Sequence, residues 1–429
     1  MPHPYVTLLK DRRIRVLWIG LATSAIGGQL FGVGALWLAA ELAGPKAALL
    51  VTAQSAAILA VSVLGGPVVE AMPRRGFLIG VDLLSAAACA VVVAASALSG
   101  LSFPLLVAVS VVLAAMGAAH RPVFLSSLPS LAPSGDLRAA NGLFDGTIRV
   151  AQASGPFLAA AILAVLPAIH LLTANAASFL ASAWAVAAVG RGLDRPPSPP
   201  EGARTSFFRR LARGVRAANA CPGVWSALIT TGVRGGAYAL GFTVAVPLIF
   251  AEGGGAGGLA GVAVVFGAAA AAELLAGPLV VLTRPERPLR RQFEGYVAIG
   301  LFQASVGAAA MLPGPLRAPA MVVAALAMGV AHSIAGLQML TFFSSRLSAD
   351  DYAAVLRLRL VLVISAMMAS TALGPFVLPA LGPAVTAVVC GLAAAATALV
   401  GLFGRPARTL GPDFQPVGAK TSRNRPCCC

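Results

Sequence analysis

About twelve runs of roughly twenty apolar residues follow one another along this chain, and each run is long enough to cross a lipid bilayer as a helix. Of the 429 residues, 58% are hydrophobic and only 11% are charged. A soluble domain would carry about twice that charged fraction, and its core could not absorb so many apolar segments. The sequence therefore predicts an all-α polytopic membrane protein.

The charged residues between the apolar runs alternate along the chain. Basic clusters precede the first run and follow the second, the eighth and the twelfth, and the largest cluster fills the centre of the chain. The only basic residues in the intervening gaps are Lys46 and Arg317. This is the positive-inside pattern, which predicts that both termini are cytoplasmic. We therefore expect a multi-pass protein of the cell membrane.

The net charge of +16 also raises the question of nucleic-acid binding. Here the basic residues are spread over short loops and not gathered on one domain, so we do not expect nucleic acid as a partner. Membrane topology and contact with anionic lipids account for the charge. The N-terminal apolar run is too long for the core of a signal peptide, so we expect it to be retained as the first helix.

The predicted spans form two sets of six. They cover 15–41, 47–69, 77–99, 103–126, 139–166, 168–189, 224–251, 259–282, 292–313, 318–344, 353–379 and 383–404. We therefore expect an N-terminal half at 1–189, a cytoplasmic linker at 190–223, a C-terminal half at 224–404 and a disordered cytoplasmic tail at 405–429. The linker becomes basic and amphipathic from Thr205 to Ala218, which is typical of a helix on the membrane surface.

Short glycine motifs recur in corresponding spans of the two halves. Gly27-Gly28 matches Gly235-Gly236, Gly66-Pro67 matches Gly277-Pro278, and Gly155-Pro156 matches Gly374-Pro375, each at an offset of about 210 residues. Two parallel six-helix repeats with a site between them near the bilayer midplane are a transporter architecture. The repeat therefore predicts two pseudo-symmetric six-helix bundles and favours transport.

The loop between the second and third spans resembles a motif of the major facilitator superfamily. From Gly66 to Gly76 it reads Gly-Pro-Val-Val-Glu-Ala-Met-Pro-Arg-Arg-Gly, which is similar to the family's G-x-x-x-D-x-x-x-R-R loop with Glu70 in place of the usual Asp. The resemblance implies the major facilitator fold and a conformational latch that holds one state of the transport cycle closed. The latch would comprise Gly66, Glu70, Arg74, Arg75 and Asp82. The corresponding position of the second half is Val281, so the latch is expected to be asymmetric.

Further segments resemble one branch of this superfamily, the enterobactin-exporter-like and macrolide-efflux-like proteins. They are Arg74 to Leu84, Arg121-Pro122, and Leu137 to Leu143 followed by Gly155-Pro156, all within about the first 170 residues. The resemblance implies export of a small molecule such as a drug, a siderophore or a secondary metabolite, driven by the proton gradient. Periodicity and spacing by themselves predict only a two-repeat membrane bundle.

Ionisable residues inside the predicted spans are candidates for a functional site, because each costs about 2.5–3.5 kcal/mol at a helix centre on insertion scales. Asp145 and Arg149 lie four residues apart on one helix face and can pair. The depths of Glu273 and Arg234 permit a second pair. Three interpretations stay open: neutralised pairs that fix helix packing, proton exchange at Glu273 or Asp145 with the arginines as charge partners, or binding of a charged substrate at these residues.

His332 is the third candidate for proton coupling, because an imidazole ordinarily titrates near pH 6.5. A hydrogen-bonded packing role is the alternative. The four histidines, at positions 3, 120, 170 and 332, are scattered and predict no metal site. Arg357 and Arg359 lie about one turn into their span, so we expect both side chains to reach the cytoplasm.

Neutral polar residues in the spans are candidates for the substrate cavity. Because spans 1, 5 and 10 line the cavity or its rim in the superfamily, the resemblance implies that Gln29, Gln152 and Gln338 contact substrate. No cofactor is expected, since the glycine-rich stretch at 253–258 lacks the ending of a phosphate loop and no ATPase motif is present. The terminal Cys427-Cys428-Cys429 has no assigned role.

Three alternatives to export remain open. They are a nutrient importer of the same fold, a non-transporting membrane receptor or scaffold, and an integral membrane enzyme. The enzyme is disfavoured because the sequence has no clustered histidine or carboxylate motif. We expect a secondary transporter that exchanges a small amphipathic molecule for protons by alternating access, and that works as a monomer because one chain supplies both halves.

Overall fold

The computed structural model describes residues 4–64, 72–128, 131, 137–193, 207–252, 258–281, 287–404 and 407. Every regular secondary-structure element within these ranges is a helix. The predicted all-α membrane fold is confirmed. Parts of the sequence-based account lie outside the described residues: Gly66 with Glu70, most of the glycine-rich stretch at 253–258, and the predicted tail at 405–429 apart from residue 407, with its terminal cysteines.

The helices correspond in order to the twelve predicted spans, with two additional surface helices. They are α1 (Pro4–Lys10), α2 (Arg12–Ala43), α3 (Ala48–Leu64), α4 (Arg74–Leu98), α5 (Phe103–Ser127), α6 (Leu137–Leu163), α7 (Ile169–Val189), α8 (Phe207–Ala220), α9 (Val224–Tyr238), α10 (Ala245–Glu252), α11 (Gly258–Val281), α12 (Pro288–Ala309), α13 (Arg317–Arg346), α14 (Ala349–Ala372), α15 (Gly374–Leu381) and α16 (Pro383–Phe403). The seventh span consists of α9 and α10 joined by a π-helical turn, and the eleventh of α14 and α15.

Nine segments of the described chain are long and apolar enough to cross a membrane. The longest, Arg12–Leu64, contains the first two predicted spans, which are separated by the short 3-10 helix Gly44–Ala47. Helices α6 and α12, predicted as the fifth and ninth spans, are not among the nine. The twelve predicted runs are obtained when α2 and α3 are counted separately and α6 and α12 are added to the nine segments.

The chain divides into two compact units. The first comprises Met1–Ala203 with Phe250–Gly267, and the second comprises Arg204–Ile249 with Ala268–Cys429. In the first unit, α7 packs against α2 and α4. In the second unit, α12 packs against α13 and α16, and α9 packs against α14. Each unit has its own apolar core, represented by Leu78 and Phe144 in the first and by Phe293 and Phe343 in the second.

Helix α8 lies in the predicted amphipathic segment and packs against the first turns of α14. Arg213 donates from Nε to Asp351 at 2.8 Å and from Nη1 to Asp350 at 3.1 Å. The hydrogen bond with Asp351 raises the pKa of Arg213 above its ordinary value. Ser348 caps α14 by accepting from the backbone N–H of Asp351 at 3.3 Å. These contacts join the linker helix to a spanning helix of the same unit.

Close backbone approach contributes more to this docking than the exposed ion pair, which is worth about 0.2–1 kcal/mol. A Cβ atom on Gly214 would lie 2.6 Å from the carbonyl oxygen of Ala354. We therefore expect Gly214→Val to raise amide hydrogen exchange across 207–220 roughly tenfold, equivalent to about 1.4 kcal/mol. Ala212→Val, on the exposed face of α8, is the control and should leave exchange unchanged. Equal exchange in the two variants would contradict this account of the docking.

Candidate functional site

The second unit brings two of the predicted proton-coupling residues together. Oε2 of Glu273 on α11 lies 3.9 Å from Nδ1 of His332 on α13. The next residue on α13, Ser333, donates its hydroxyl to the backbone carbonyl of Glu273 at 2.7 Å. This hydrogen bond fixes the two helices at the same level, so the carboxyl and imidazole groups meet in the apolar part of both helices.

Arg234 is the most enclosed charged residue of this region. Its side chain on α9 is 8% exposed, and its guanidinium lies 5.4 Å from the ring centroid of Tyr296. Nε and Nη1 are buried without a hydrogen-bond partner among the described residues. Glu273 therefore lies beside His332, while Arg234 lies against an aromatic ring, and the expected Glu273–Arg234 pair stays a prediction.

A second arginine belongs to the same region, and sequence reasoning placed it elsewhere. Arg357 is exposed, but Nε of Arg359 is buried and has no hydrogen-bond partner within the described chain. Arg359 is within electrostatic range of Arg234 and His332. Arg359 is therefore more enclosed than Arg357, and the expectation that both side chains reach the cytoplasm stays a prediction. Residues two apart on a helix point about 200° apart. This spacing in the sequence indicates that Arg357 and Arg359 lie on nearly opposite faces of α14.

A π-helical turn, Ala239–Val244, follows directly after Tyr238. The ring of Tyr238 lies edge-on to His332 at 6.3 Å between centroids and stacks on Phe242 at 5.0 Å. Carbonyl groups ahead of the turn accept from side chains: Gln303 donates to Ala237 at 2.8 Å, and a serine of α14 donates to Gly236 at 2.8 Å. Isolated π-helical turns occur frequently at functional sites, and neither this turn nor the role of Gln303 is signalled by the sequence.

In the first unit, the predicted Asp145–Arg149 pair lies on an open helix face. Arg149 Nε donates to Asp145 Oδ2 at 2.9 Å, and the two side chains are 57% and 54% exposed within the protein. The pair follows from the spacing of four residues on α6. Its exposure distinguishes it from Arg234, whose guanidinium is enclosed.

Asp82, assigned by resemblance to the latch, is packed inside the first unit. It is 2% exposed, and its Oδ1 lies 3.7 Å from Nε2 of His120 on α5. Oδ2 of Asp82 has no hydrogen-bond partner among the described residues. The sequence gives His120 no partner, whereas the structure places it beside Asp82. Its place inside an apolar run was the available signal.

The two arginines of the same motif contact carbonyl groups within the first unit. Arg74 Nη1 donates to the carbonyl of Ser126 at 3.1 Å, and Arg75 Nη2 donates to that of Ala187 at 3.0 Å. Both carbonyls belong to the last turns of spanning helices, where cations are favoured. The contacts tie the start of α4 to the ends of α5 and α7.

The three glutamines assigned to the cavity differ in environment. Gln29 is half-buried and packs closely against Gly155, whereas Gln152 is exposed. Gln338 is 3% exposed, and its Oε1 has no hydrogen-bond partner among the residues described. Gln29 and Gln152 belong to the first unit and Gln338 to the second.

A cavity of about 640 Å³ lies in the first unit, at the ends of α2 and α4 opposite to Arg74. Trp37, Glu41 and Ser96 are among its lining residues, and none of the predicted site residues is. Within the described residues, no group of three or more His, Cys, Asp or Glu side chains is placed to hold a metal ion.

Comparison with known proteins gives one family and one fold. The sequence model described as Major Facilitator Superfamily matches residues 17–358. No curated protein matches the chain in sequence. A bacterial homologue of the iron transporter ferroportin in an inward-facing state is 12% identical, with a TM-score of 0.69 over 92% of this chain and 99% of that chain. A D-xylose-proton symporter is 14% identical, with a TM-score of 0.65 over 92% and 98% of the two chains. A bacterial homolog of the human lysosomal transporter Spinster is also 14% identical, with a TM-score of 0.60 over 91% and 97%. At these identities the structural likeness is one of fold.

Proposed function

The chain belongs to the Major Facilitator Superfamily, and from this premise we propose that it exports a small amphipathic organic molecule in exchange for protons. The resemblance of its first half to enterobactin-exporter-like and macrolide-efflux-like proteins favours a drug, a siderophore or a secondary metabolite as substrate. Transport would proceed by alternating access, as expected for two repeats around one site.

The observation that carries proton coupling is the Glu273–His332 pair. A carboxylate within an apolar helix is costly, and Oε2 of Glu273 is 3.9 Å from the imidazole. Two titratable groups this close can share one proton and release it as a pair. Such a pair is suited to loading a proton in one state of the transporter and releasing it in the other. Asp145 is the second coupling candidate.

The remaining sequence-based roles form part of the same proposal. The protein would lie in the cell membrane with both termini cytoplasmic and act as a monomer. Exposed Arg209 and Arg216 on α8 would contact anionic lipids. Arg74 and Arg75, with Gly66, Glu70 and Asp82, would form the latch, and Gln29, Gln152 and Gln338 would contact substrate.

Accumulation of a chemically broad panel of fluorescent and siderophore-like compounds in inverted vesicles tests the proposal. We expect the protein to drive uptake of some members into inverted vesicles, and a protonophore to abolish that uptake. Vesicles from cells that express a matched inactive chain are the control. Gradient-driven movement in the opposite direction would show an importer. Absence of any protein-dependent transport across the panel, with correct folding confirmed, would contradict the proposal.

A further inference from the structure

We propose that Arg234 and Arg359 form a binding site for the carboxylate of an amphipathic organic acid, inside the second unit. The inference rests on the proposed transport function and adds the charge class of the substrate. It is carried by two arginines within electrostatic range of each other, each with buried guanidinium nitrogens that have no hydrogen-bond partner among the described residues.

The first argument is the missing partner of Arg234. Its side chain is 8% exposed, and Nε and Nη1 are buried without a hydrogen-bond acceptor among the described residues. A guanidinium carries five donors, and enclosing it without acceptors is strongly unfavourable. The ring of Tyr296, 5.4 Å away, offsets part of this cost. A bound anion would supply the acceptors that the protein lacks.

The second argument is the position of Arg359. A Cβ on Gly235 would lie 3.0 Å from Cγ1 of Val363, so α9 and α14 are in close contact one residue after Arg234. Val363 is four residues beyond Arg359, about one turn along α14. The two guanidinium groups are within electrostatic range of each other, and Nε of Arg359 is also buried without a partner. Two like charges within electrostatic range of each other favour binding of an anion between them.

The third argument is the balance of charge around the pair. Among the described residues, the titratable groups near the two arginines include Glu273, His332, Tyr238, Tyr296 and Tyr352. Only Glu273 among them is an acid at neutral pH, and it faces His332. The positive charges of Arg234 and Arg359 therefore face one carboxylate, Glu273, which lies beside His332. The remaining positive charge favours binding of a second carboxylate.

The neighbouring residues fit the rest of such a ligand. Carboxylate and guanidinium pair through two parallel hydrogen bonds, which orients the acid. Tyr238 and Phe242 stack 5.0 Å apart beside this region and offer an aromatic surface for the apolar part. The close contact of Gly235 and Gly236 with α14 holds Arg234 in place before the ligand arrives. Preorganised charges of this kind select a ligand by its charge.

The experiment compares β-naphthoate with its neutral amide, β-naphthamide, on the purified full chain in lipid nanodiscs. We expect the acid to bind at least tenfold more tightly than the amide. Arg234→Gln and Arg359→Gln should each remove that preference, and Arg234→Lys should keep part of it. Arg357→Gln, two residues away on the exposed side of α14, is the matched control and should keep all of it.

Thermal unfolding of the same variants separates a binding role from a packing role. Removal of a buried charge without a partner should leave the midpoint of unliganded Arg234→Gln unchanged or raise it. β-Naphthoate should raise the midpoint of the wild-type chain and of Arg357→Gln, but not that of Arg234→Gln or Arg359→Gln. Equal binding of acid and amide, binding of neither compound, undiminished acid binding in both Gln variants, or a lowered midpoint in Arg234→Gln would each overturn the proposal.

Failure of this site and failure of the proposed function give different results. If the acid preference is present but transport is insensitive to a protonophore, the anion site stands and proton-driven export does not. If gradient-driven transport of neutral compounds persists without any acid preference, export stands and the anion site does not.

Discussion

Replacing Glu273 by Gln is expected to abolish gradient-driven accumulation and to leave downhill movement of the substrate intact. With one proton exchanged per substrate, a gradient of about one pH unit supplies about 1.4 kcal/mol and sustains a concentration ratio of about ten. Without the carboxyl group beside His332, the ratio should fall to about one. The measurement is steady-state substrate distribution in proteoliposomes under an imposed pH gradient.

Glu294→Gln is the matched control for this variant. Glu294 is also a carboxylate of the second unit, but it lies near the start of α12 in exposed ion pairs with Arg290 and Arg291, each 2.9 Å long. It should retain the full concentration ratio. A Glu273→Gln chain that still accumulates substrate as the wild type does would remove Glu273 from the coupling mechanism, and Asp145→Asn would then be the next variant.

The second large effect concerns the crossing of α12 and α16. A Cβ on Gly391 would lie 2.5 Å from the carbonyl oxygen of Gly300, and a Cβ on Gly300 would lie 2.6 Å from that of Gly391. Backbone atoms on both sides must therefore move when either glycine gains a side chain, since small residues alone permit this approach. We expect Gly391→Ala to lower the free energy of unfolding by about 1–3 kcal/mol.

Gly336→Ala on α13 provides the comparison, because a Cβ there would meet no atom within 4 Å. It should be neutral or stabilise by about 0.5–1 kcal/mol, since alanine loses less backbone entropy than glycine in a helix. The double variant Gly300→Ala with Gly391→Ala should cost less than the two single costs together, because one displacement of the helices relieves both clashes. Equal midpoints for Gly391→Ala and Gly336→Ala in thermal unfolding would contradict the close crossing.

The helical fold was predictable because its signal is spread over whole segments. Neither the runs of apolar residues nor the excess of arginine in alternate loops depends on any single contact. The interruptions were not predictable. Just before the π-helical turn at Ala239–Val244, backbone carbonyl groups accept hydrogen bonds from Gln303 and from a serine of α14, and both donors are distant in sequence. The packing partners of the repeated glycines were not predictable either: Gly27 packs against α7 and Gly235 against α14.

The site was predictable in its residues and less so in its pairings. Glu273, Arg234, Asp145 and His332 were predictable as candidate site residues, because an ionisable side chain inside a membrane span is costly. Depth along each helix could not decide which of them meet, since that depends on the rotation of the helices about their axes. In the structure, Glu273 lies 3.9 Å from His332. For the same reason Asp82 and His120, 38 residues apart in number, come together at 3.7 Å without a local signal.

The most direct test of proton-coupled export measures proton movement itself. A pH-sensitive dye is enclosed in proteoliposomes, and a transported member of the compound panel is added outside without an imposed gradient. We expect inward movement of the compound to drive protons outward, with the internal pH rising for the wild type and for Glu294→Gln but not for Glu273→Gln. Transport of the compound with no change in internal pH, or with a fall in it, would contradict proton antiport.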